Sequence, residues 1–167
     1  MSMFLYSELF QEFEKAKIRY LVVGGVAVVL HGYLRATADL DMMIALDADN
    51  LEKFLALVKK LGYKPRVPVA MDDFALPEKR REWIKDKGMM VFSLIHPRHM
   101  THLLDVFVDH PINFEEAFKR RERMSTGLGS VSVACIEDLI RLKKKAGRRQ
   151  DEEDIRALKN IRKTKKK

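Results

Sequence analysis

The stretch LVVGGVAVVLHGYLRATADLD, residues 21–41, decides the fold of this chain. Residues 19–23 are rich in β-branched side chains and predict a buried strand. Gly24 and Gly25 then break the strand, and the mostly apolar residues 26–33 predict a short buried helix. A second strand is predicted over residues 39–45. The stretch therefore predicts a strand, a glycine turn, a helix and a strand that begins with acidic residues.

Asp39 and Asp41 lie two positions apart in the second predicted strand. Side chains at that spacing point to the same face of a strand, whereas Leu40 between them points into the core. Two carboxylates held close together repel each other, and a divalent cation removes that cost. Taken alone, such a pair is more often two exposed loop acids, so the interpretation depends on the neighbouring residues.

The glycine turn is the first of those neighbours. Gly24 and Gly25 permit close approach of a ligand to the backbone, and the N-terminus of the next helix offers N–H groups to a phosphate. A tight turn between strand and helix is the alternative explanation of the two glycines. The turn and the aspartates together favour a phosphate-binding site.

Asp105 interrupts the apolar residues 103–108. A charged residue inside an apolar strand is costly without a partner. If this strand lies beside the strand of Asp39, the three aspartates form one cluster; the alternative is an exposed aspartate on an edge strand. Three carboxylates beside a phosphate-binding turn are the components of a two-metal site for phosphoryl or nucleotidyl transfer. We therefore predict a two-ion Mg²⁺ site at Asp39, Asp41 and Asp105, with Mn²⁺ as the alternative ion.

The remainder of the chain alternates helices and strands. Apolar periodicity predicts helices over residues 3–17, 49–61 and 78–87, and strands over residues 89–95, 102–108 and 130–134. A helical hairpin, broken at Gly147, is predicted over residues 136–145 and 151–161. The expected fold class is α/β (α+β): a mixed β-sheet flanked by helices, with one face open for a ligand and a C-terminal helical hairpin.

Composition sets the remaining expectations. The chain has 167 residues, 47% of them hydrophobic, which suits a single domain that we assign to residues 1–161. The net charge is +8, and five basic residues lie in a tail, residues 162–167, that we expect to be frayed. The chain shows a single cysteine, no targeting segment and no apolar stretch of bilayer length. These features predict a cytoplasmic protein without a membrane partner.

The motif of residues 21–41, followed by Asp105 on a later strand, resembles the polymerase-β-like nucleotidyltransferase superfamily. The small prokaryotic branch of AbiEii-type toxin nucleotidyltransferases is the most similar, because it shares the arrangement His-Gly followed by Arg-x-Thr-x-Asp-x-Asp, found here at residues 31–41. The segment DLIRLKKKAGRRQDEED, residues 138–154, is similar to the same branch. Residues 62–98 match no motif of the superfamily.

The resemblance implies a nucleotidyltransferase fold and metal-dependent transfer of a nucleoside monophosphate from a nucleoside triphosphate such as ATP. The implied metal ligands and catalytic residues are the three aspartates already named. The implied nucleotide-binding residues are Gly24, Gly25, Arg35, Thr37 and Lys143. Many members of the superfamily carry serine at the position of Gly25, so only backbone N–H groups can hold a phosphate there in this chain.

The acceptor of the transferred group stays open between a tRNA or other nucleic acid, a protein hydroxyl and a small hydroxylated molecule. The basic charge tilts this choice weakly toward a polyanion. The AbiEii-type branch also implies a role as the toxin of a toxin–antitoxin system, with an antitoxin protein as partner. The alternative function is a non-catalytic nucleotide- or RNA-binding regulatory module that keeps the fold, but the presence of all three aspartates disfavours it.

Asp151 and Asp154 lie three positions apart in the last predicted helix and share one of its faces. We expect them to pair with Lys143, Arg148 or Arg156 rather than to bind a metal ion. On this interpretation they belong to the structure of the helical hairpin.

Overall fold

A computed structural model describes residues 6–127 and 129–167 of the protein. Its elements in chain order are α1 (Ser7–Lys15), β1 (Tyr20–Val23), α2 (Gly24–Leu30), β2 (Leu40–Ile44), α3 (Ala48–Lys60), β3 (Lys64–Pro65), a 3₁₀ helix (Met71–Ala75), α4 (Pro77–Lys87), β4 (Val91–His96), β5 (His99–Phe107), α5 (Phe114–Lys119), β6 (Glu122–Ser125), β7 (Ser130–Val133), α6 (Ile136–Ala146) and α7 (Arg149–Lys165). Among the described residues, no helix combines the length and the apolar character that crossing a membrane requires.

The strands form one mixed sheet in the order β3-β4-β5-β2-β1-β7-β6. β2 lies at its centre, parallel to β5 on one side and antiparallel to β1 on the other. β1 pairs in parallel with β7, whereas β3–β4, β4–β5 and β6–β7 are antiparallel pairs. The predicted mixed sheet flanked by helices is therefore confirmed.

Aromatic rings fill one face of this sheet. Phe54 of α3 packs against Phe13 of α1 at 6.0 Å between ring centroids and against Phe74 of the 3₁₀ helix at 6.2 Å. Phe74 in turn stacks on Phe92 of β4 at 4.9 Å. Neighbouring residues of a strand point to opposite faces, so Ser93 points away from this core. Asp105, which lies opposite Ser93 in the ladder, points to the same side, away from the aromatic core.

The predicted C-terminal helical hairpin is confirmed, and its break lies at Gly147, whose φ of 65° places it in the left-handed region. α7 continues to Lys165, however, beyond the predicted end at residue 161. Arg162 and Lys165 lie 3.8 Å and 3.4 Å from carboxylate oxygens of Glu137 and Glu122. Most of the tail that we expected to be frayed is therefore helical, and basic residues suit the negative end of a helix.

Several short elements were not predicted from the sequence. β3 has two residues, α5 has six, and β6 is a surface strand of sequence ERMS. None of them is long enough to show an apolar period. α2 begins at Gly24 itself rather than after the glycines. The predicted first helix, residues 3–17, is observed as α1, and residues 1–5 lie outside the described residues.

Asn50, buried in the first turn of α3, joins β1 and β2 at the ends that lie away from Asp41. Its Oδ1 accepts a hydrogen bond from the backbone N–H of Arg19 at 2.8 Å. Its Nδ2 donates to the carbonyl of Arg19 at 3.1 Å and to that of Ala45 at 2.8 Å. One side chain therefore ties the start of β1 to the end of β2 and satisfies backbone groups that are shielded from water.

We expect Asn50→Ala to lower the free energy of unfolding by about 2–3 kcal/mol, because it leaves buried backbone groups without partners. Urea titration followed by circular dichroism measures the change. The control is Asp49→Ala, which removes an exposed side chain from the same helical turn, where the ion pair with Lys53 contributes little. Equal stability of the two variants would contradict the role assigned to Asn50.

Candidate active site

The carboxylates predicted from the sequence meet at the centre of the sheet. Asp41 of β2 lies directly opposite Asp105 of β5 in the parallel ladder, so both side chains point to the same face. Leu40 is fully buried, and Asp39 immediately precedes it at the start of β2. Asp105 is therefore not on an edge strand, which excludes the alternative left open by the sequence.

Ser93 of β4 extends the row of polar side chains by one strand. It is the ladder partner of Asp105, and its hydroxyl donates a hydrogen bond to Oδ1 of Asp105 at 2.6 Å. The sequence analysis missed this residue. Ser93 is a polar residue in the apolar strand VFSLIH, just as Asp105 is a charged residue in an apolar strand. Burying a hydroxyl costs much less free energy than burying a charge, so the serine alone does not indicate a site.

Burial and, after it, mutual repulsion disfavour the charged form of Asp41. Burial, together with the negative charges of Asp105 and Asp39, raises the pKa of Asp41 to about 7. Arg148 and Lys143 act in the opposite direction but do not restore the ordinary value. At neutral pH the folded protein therefore holds Asp41 only partly ionised, and a cation or a cationic group of a ligand would favour its charged form.

Tyr6 closes the cluster from the side of α1. Burial, followed by the nearby Tyr63 and the three aspartates, raises the pKa of its phenol well above the ordinary value, so the phenol stays neutral. Its hydroxyl lies 3.4 Å from the carbonyl oxygen of Ala38, just ahead of Asp39. Tyr6 thus contacts the segment that leads into β2.

Gly24 touches Asp41 so closely that no side chain fits between them. A Cβ atom on Gly24 would lie 2.2 Å from Oδ2 of Asp41, and the φ of Gly24 is +66°. Both facts require glycine, because L-residues rarely adopt this φ and real Cβ atoms do not approach an oxygen so closely. The glycine turn therefore fixes the position of the Asp41 carboxylate.

Gly25 faces two other predicted residues. A Cβ atom placed on Gly25 would lie 2.6 Å from Oγ1 of Thr37 and 2.8 Å from Nη2 of Arg35. Both side chains belong to the segment of residues 31–39, which connects α2 to β2. The space beside Gly25 is therefore occupied by the side chains of Thr37 and Arg35. In the sequence, only the resemblance to the superfamily grouped these residues with Gly25.

The α6–α7 hairpin brings a buried group of charges to the same side of the sheet. Nζ of Lys143 lies 2.8 Å from Oδ2 of Asp154 and 3.5 Å from Oδ1 of Asp151. Nε of Arg148 donates to Asp151 at 2.9 Å. Burial disfavours the charge of Asp151, but the hydrogen bonds and charge of Arg148 outweigh it and lower the pKa of the carboxyl. The predicted pairing is thus confirmed for Lys143 with both aspartates and for Arg148 with Asp151.

Two adjoining cavities contain all the predicted site residues. The first, of about 440 Å³, lies between the sheet and the hairpin; its lining includes Gly24, Asp39, Asp41, Asp105, Lys143 and Arg148, with Val91, Phe107 and Leu142 as apolar walls. The second, of about 300 Å³, is lined by Gly25, Arg35, Thr37, Asp39, Asp41, Arg148 and Gln150, among others. A larger hollow of about 610 Å³, lined by residues 45–47, 110–115 and Lys145, contains none of them.

The donor set of the cluster fits a hard divalent cation. Asp39, Asp41 and Asp105 offer only carboxylate oxygens, which suit Mg²⁺, and a cation would favour the ionised form of Asp41, which burial and the two neighbouring carboxylates disfavour. Within residues 6–127 and 129–167, however, no three His, Cys, Asp or Glu side chains are grouped as a ready metal site. The Mg²⁺ site and its two-ion form stay predictions.

We expect Asp41→Asn to stabilise the protein in the presence of a chelator, increasingly so as the pH rises. The wild-type carboxyl has a pKa of about 7 when folded, against an ordinary value of 3.8. Its protonated form stabilises the fold fully below the unfolded pKa, and this contribution is lost as the pH rises through the folded pKa. The gain in stability of the variant over wild type should therefore grow by roughly 2–3 kcal/mol between pH 5 and pH 8, at about 1.4 kcal/mol per pKa unit.

Chemical denaturation at these two pH values measures the difference. The matched control is Asp49→Asn on the surface of α3, where no comparable growth is expected. An Asp41→Asn variant that is less stable than wild type at pH 8 would show that Asp41 is a structural acid.

We expect Gly24→Ala to destabilise the protein more than Gly88→Ala does. Both glycines have a left-handed φ, +66° and +59°, so both substitutions carry the same backbone strain of about 1–2 kcal/mol. Only at Gly24 does the added Cβ meet another group, the carboxylate of Asp41, whereas nothing lies within 4 Å at Gly88. Thermal unfolding compares the two variants, and equal losses would contradict the close contact between Gly24 and Asp41.

Solved structures with the same fold include three nucleotidyltransferases or related proteins. The lincosamide antibiotic adenylyltransferase LnuA, in its lincomycin-bound form, aligns with a TM-score of 0.64 and 19% identity over 96% of this chain and 98% of its own. An antigenic nucleotidyltransferase-like protein from Paracoccidioides brasiliensis aligns with a TM-score of 0.54 and 20% identity, over 95% of this chain and 73% of its own. The Thermotoga maritima protein TM1012, provisionally assigned as a nucleotidyltransferase, aligns with a TM-score of 0.59 and 12% identity, over 95% of this chain and 92% of its own. The predicted nucleotidyltransferase fold is thereby confirmed.

Comparison of this sequence with known proteins and protein families identifies the family to which the chain belongs. No curated protein gives a significant match to the chain. Residues 5–165 match the family described as "Nucleotidyltransferase of unknown function (DUF6036)". This match supports the superfamily that the sequence analysis named and leaves the AbiEii-type branch a prediction. Because it spans nearly the whole sequence, the chain belongs to this nucleotidyltransferase family.

Proposed function

We propose that this protein transfers a nucleoside monophosphate from a nucleoside triphosphate to a hydroxyl group of an acceptor, with the help of Mg²⁺. The observation that carries the proposal is the ladder pairing of Asp41 with Asp105, in a cavity that also contains Asp39 and the Gly24 turn. Membership of a nucleotidyltransferase family supports the reaction class. The presence of all three acids in one cavity supports catalysis over the non-catalytic alternative.

In the proposed reaction the acceptor oxygen attacks the α-phosphorus of the triphosphate. A new phosphorus–oxygen bond forms, and the bond from the α-phosphorus to the bridging oxygen breaks, so that pyrophosphate leaves with the electron pair. The acceptor proton passes to a carboxylate, which we assign to Asp105. Bound divalent cations would neutralise the carboxylates and stabilise the charge on the phosphates and on the leaving group.

The chain's own residues bind and orient the reactants. Gly24 and Lys143 line the larger cavity, whereas Gly25, Arg35 and Thr37 line the smaller one, so these residues border the space in which the phosphates would bind. Ser93 holds one oxygen of Asp105 by a hydrogen bond and so directs the other oxygen toward the acceptor. These roles are the ones that the resemblance assigned, apart from that of Ser93.

A small molecule is the acceptor that the cavities accommodate best. Their volumes of about 440 Å³ and 300 Å³ are within or at the edge of the range of small-ligand pockets. LnuA, which shares the fold, is an antibiotic adenylyltransferase with lincomycin bound. A tRNA or protein acceptor would instead bind across the mouth of the cavity with only its hydroxyl inside. The toxin role and the antitoxin partner rest on the resemblance to AbiEii-type proteins alone.

Incubation with α-phosphate-labelled nucleoside triphosphates and Mg²⁺ tests this proposal. Total tRNA, a protein extract and a low-mass cell extract are supplied separately as acceptors, and labelled products are separated by size. Wild type should label one of the three classes, and Asp41→Asn should reduce the rate by about 100-fold or more, because it removes a charged group from the transition-state environment.

Asp49→Asn is the matched control and should transfer at the wild-type rate, since its side chain is on the surface of α3. Tight triphosphate binding without transfer to any acceptor would favour the non-catalytic binding module. Full activity of Asp41→Asn would contradict the assignment of the active site.

A further inference from the structure

Asp154 is a fully buried carboxylate that the proposed reaction does not use. It lies on α7 with 0% of its surface exposed. Oδ2 accepts hydrogen bonds from Nη2 of Arg35 at 3.0 Å and from Nζ of Lys143 at 2.8 Å. Oδ1 lies 2.9 Å from Nε of Arg35 and accepts from Gln150 at 3.2 Å. One carboxylate thus contacts cations from two separate parts of the chain.

The first of these cations belongs to the wall of the smaller cavity. Arg35 lies in the segment of residues 31–39, and its Nη1 donates to the carbonyl of Ala36 at 2.9 Å. Its guanidinium lies against Gly25, where an added Cβ would be 2.8 Å from Nη2. A guanidinium has two N–H groups on each terminal nitrogen. The ion pair with Asp154 therefore fixes the plane of the guanidinium and leaves one N–H on each terminal nitrogen for a further acceptor.

The second cation belongs to the wall of the larger cavity. Lys143 of α6 is only 4% exposed, yet it lines the cavity that contains Asp41 and Asp105. Its ammonium has three N–H groups, of which Asp154 and Asp151 accept two. A buried lysine keeps its charge at low cost only when such partners are present. Asp154 therefore anchors the ammonium group of Lys143 and leaves one N–H for a ligand.

We propose that Asp154 is a positioning residue for the triphosphate: it holds Arg35 and Lys143 side by side, each in the wall of one of the two cavities, so that their remaining N–H groups meet the phosphates. The proposal rests on the proposed function and adds to it the residue, Asp154, that orients the two cationic side chains. Asp154 does not itself touch the substrate, since it lines neither cavity.

The direction in which triphosphate affinity changes when the charge of Asp154 is removed distinguishes a positioning role from a purely electrostatic one. Removing a negative charge beside a polyanion site should tighten binding if only the net charge counts. Removing an anchor should weaken binding, because the long side chains of Arg35 and Lys143 then lose their fixed orientation. A purely structural role would lower stability and leave the dissociation constant unchanged.

Titration calorimetry with inorganic tripolyphosphate in the presence of Mg²⁺ measures this effect without depending on the acceptor or the base. Asp154→Asn should raise the Kd by about tenfold or more. Arg35→Gln should raise it as well, and the double variant should show less than the product of the two single effects, because Asp154 acts partly through Arg35. An unchanged or lower Kd in Asp154→Asn would overturn the proposal, and so would a fully multiplicative double variant.

Asp138 offers a matched control. It is also a fully buried aspartate, it accepts from Nη2 of Arg120 at 2.8 Å, and it lines neither cavity. Asp138→Asn should destabilise the protein to a similar degree and bind tripolyphosphate as wild type does. Weakening of the same size in this variant would reduce Asp154 to a structural acid and overturn the proposal.

If Asp154→Asn does not fold, Arg35→Lys takes its place. It keeps the charge but loses the two-pronged contact with Asp154, and Arg35 is partly exposed, so the fold should tolerate the change. A raised Kd supports the proposal and a wild-type Kd overturns it. A wild-type protein that does not bind tripolyphosphate overturns both proposals, whereas one that binds it but labels no acceptor overturns only the proposed function.

Discussion

The pairing of β2 between β1 and β5 determines where the charges of the site lie. It sets Asp41 directly opposite Asp105 on one side and opposite Val23, next to Gly24, on the other. Since the ladder register fixes which side chains share a face, slipping either pair by one residue would turn one carboxylate into the aromatic core. The backbone ladder thus imposes both causes of the raised pKa of Asp41, its burial and its closeness to Asp105 and Asp39.

The α6–α7 hairpin supplies the opposite charges but pairs them with acids of its own rather than with the acids of the sheet. Lys143 and Arg148 line the cavity, yet their close ion pairs are with Asp151 and Asp154 on the hairpin itself. Had these two acids been absent, the nearest carboxylates for the cations would be those of the sheet. Pairing within the hairpin therefore leaves Lys143 and Arg148 too weakly coupled to Asp41 to restore its ordinary pKa, and a divalent cation could supply the missing positive charge.

Sequence reasoning located the acids because a charge in an apolar strand has few explanations. Asp105 was identified in this way, Asp39 and Asp41 were identified by their spacing together with the glycine turn, and the order of elements was sufficient to predict a mixed sheet. The order did not reveal that β5 is the neighbour of β2, because strand pairing depends on long-range packing. Ser93 was missed because serine is common in strands, and the contact of Arg35 with Asp154 because residues 119 positions apart leave no periodic signal. The helical part of the tail was missed because its composition alone resembles that of frayed termini.

The contact between Arg35 and Asp154 also bears on how the protein is made. It joins a segment near the beginning of the described chain to its last helix, over a separation of 119 positions. Contacts of such long range form late in folding, since a long loop must close first. A nascent chain can therefore assemble β1, β2 and β5 with their acids, and Arg35 beside them, while Lys143, Arg148 and Asp154 of the α6–α7 hairpin are still inside the ribosome. The complete charge pattern arises only after α7 has emerged, so the order of synthesis separates formation of the acidic sheet from completion of the cleft.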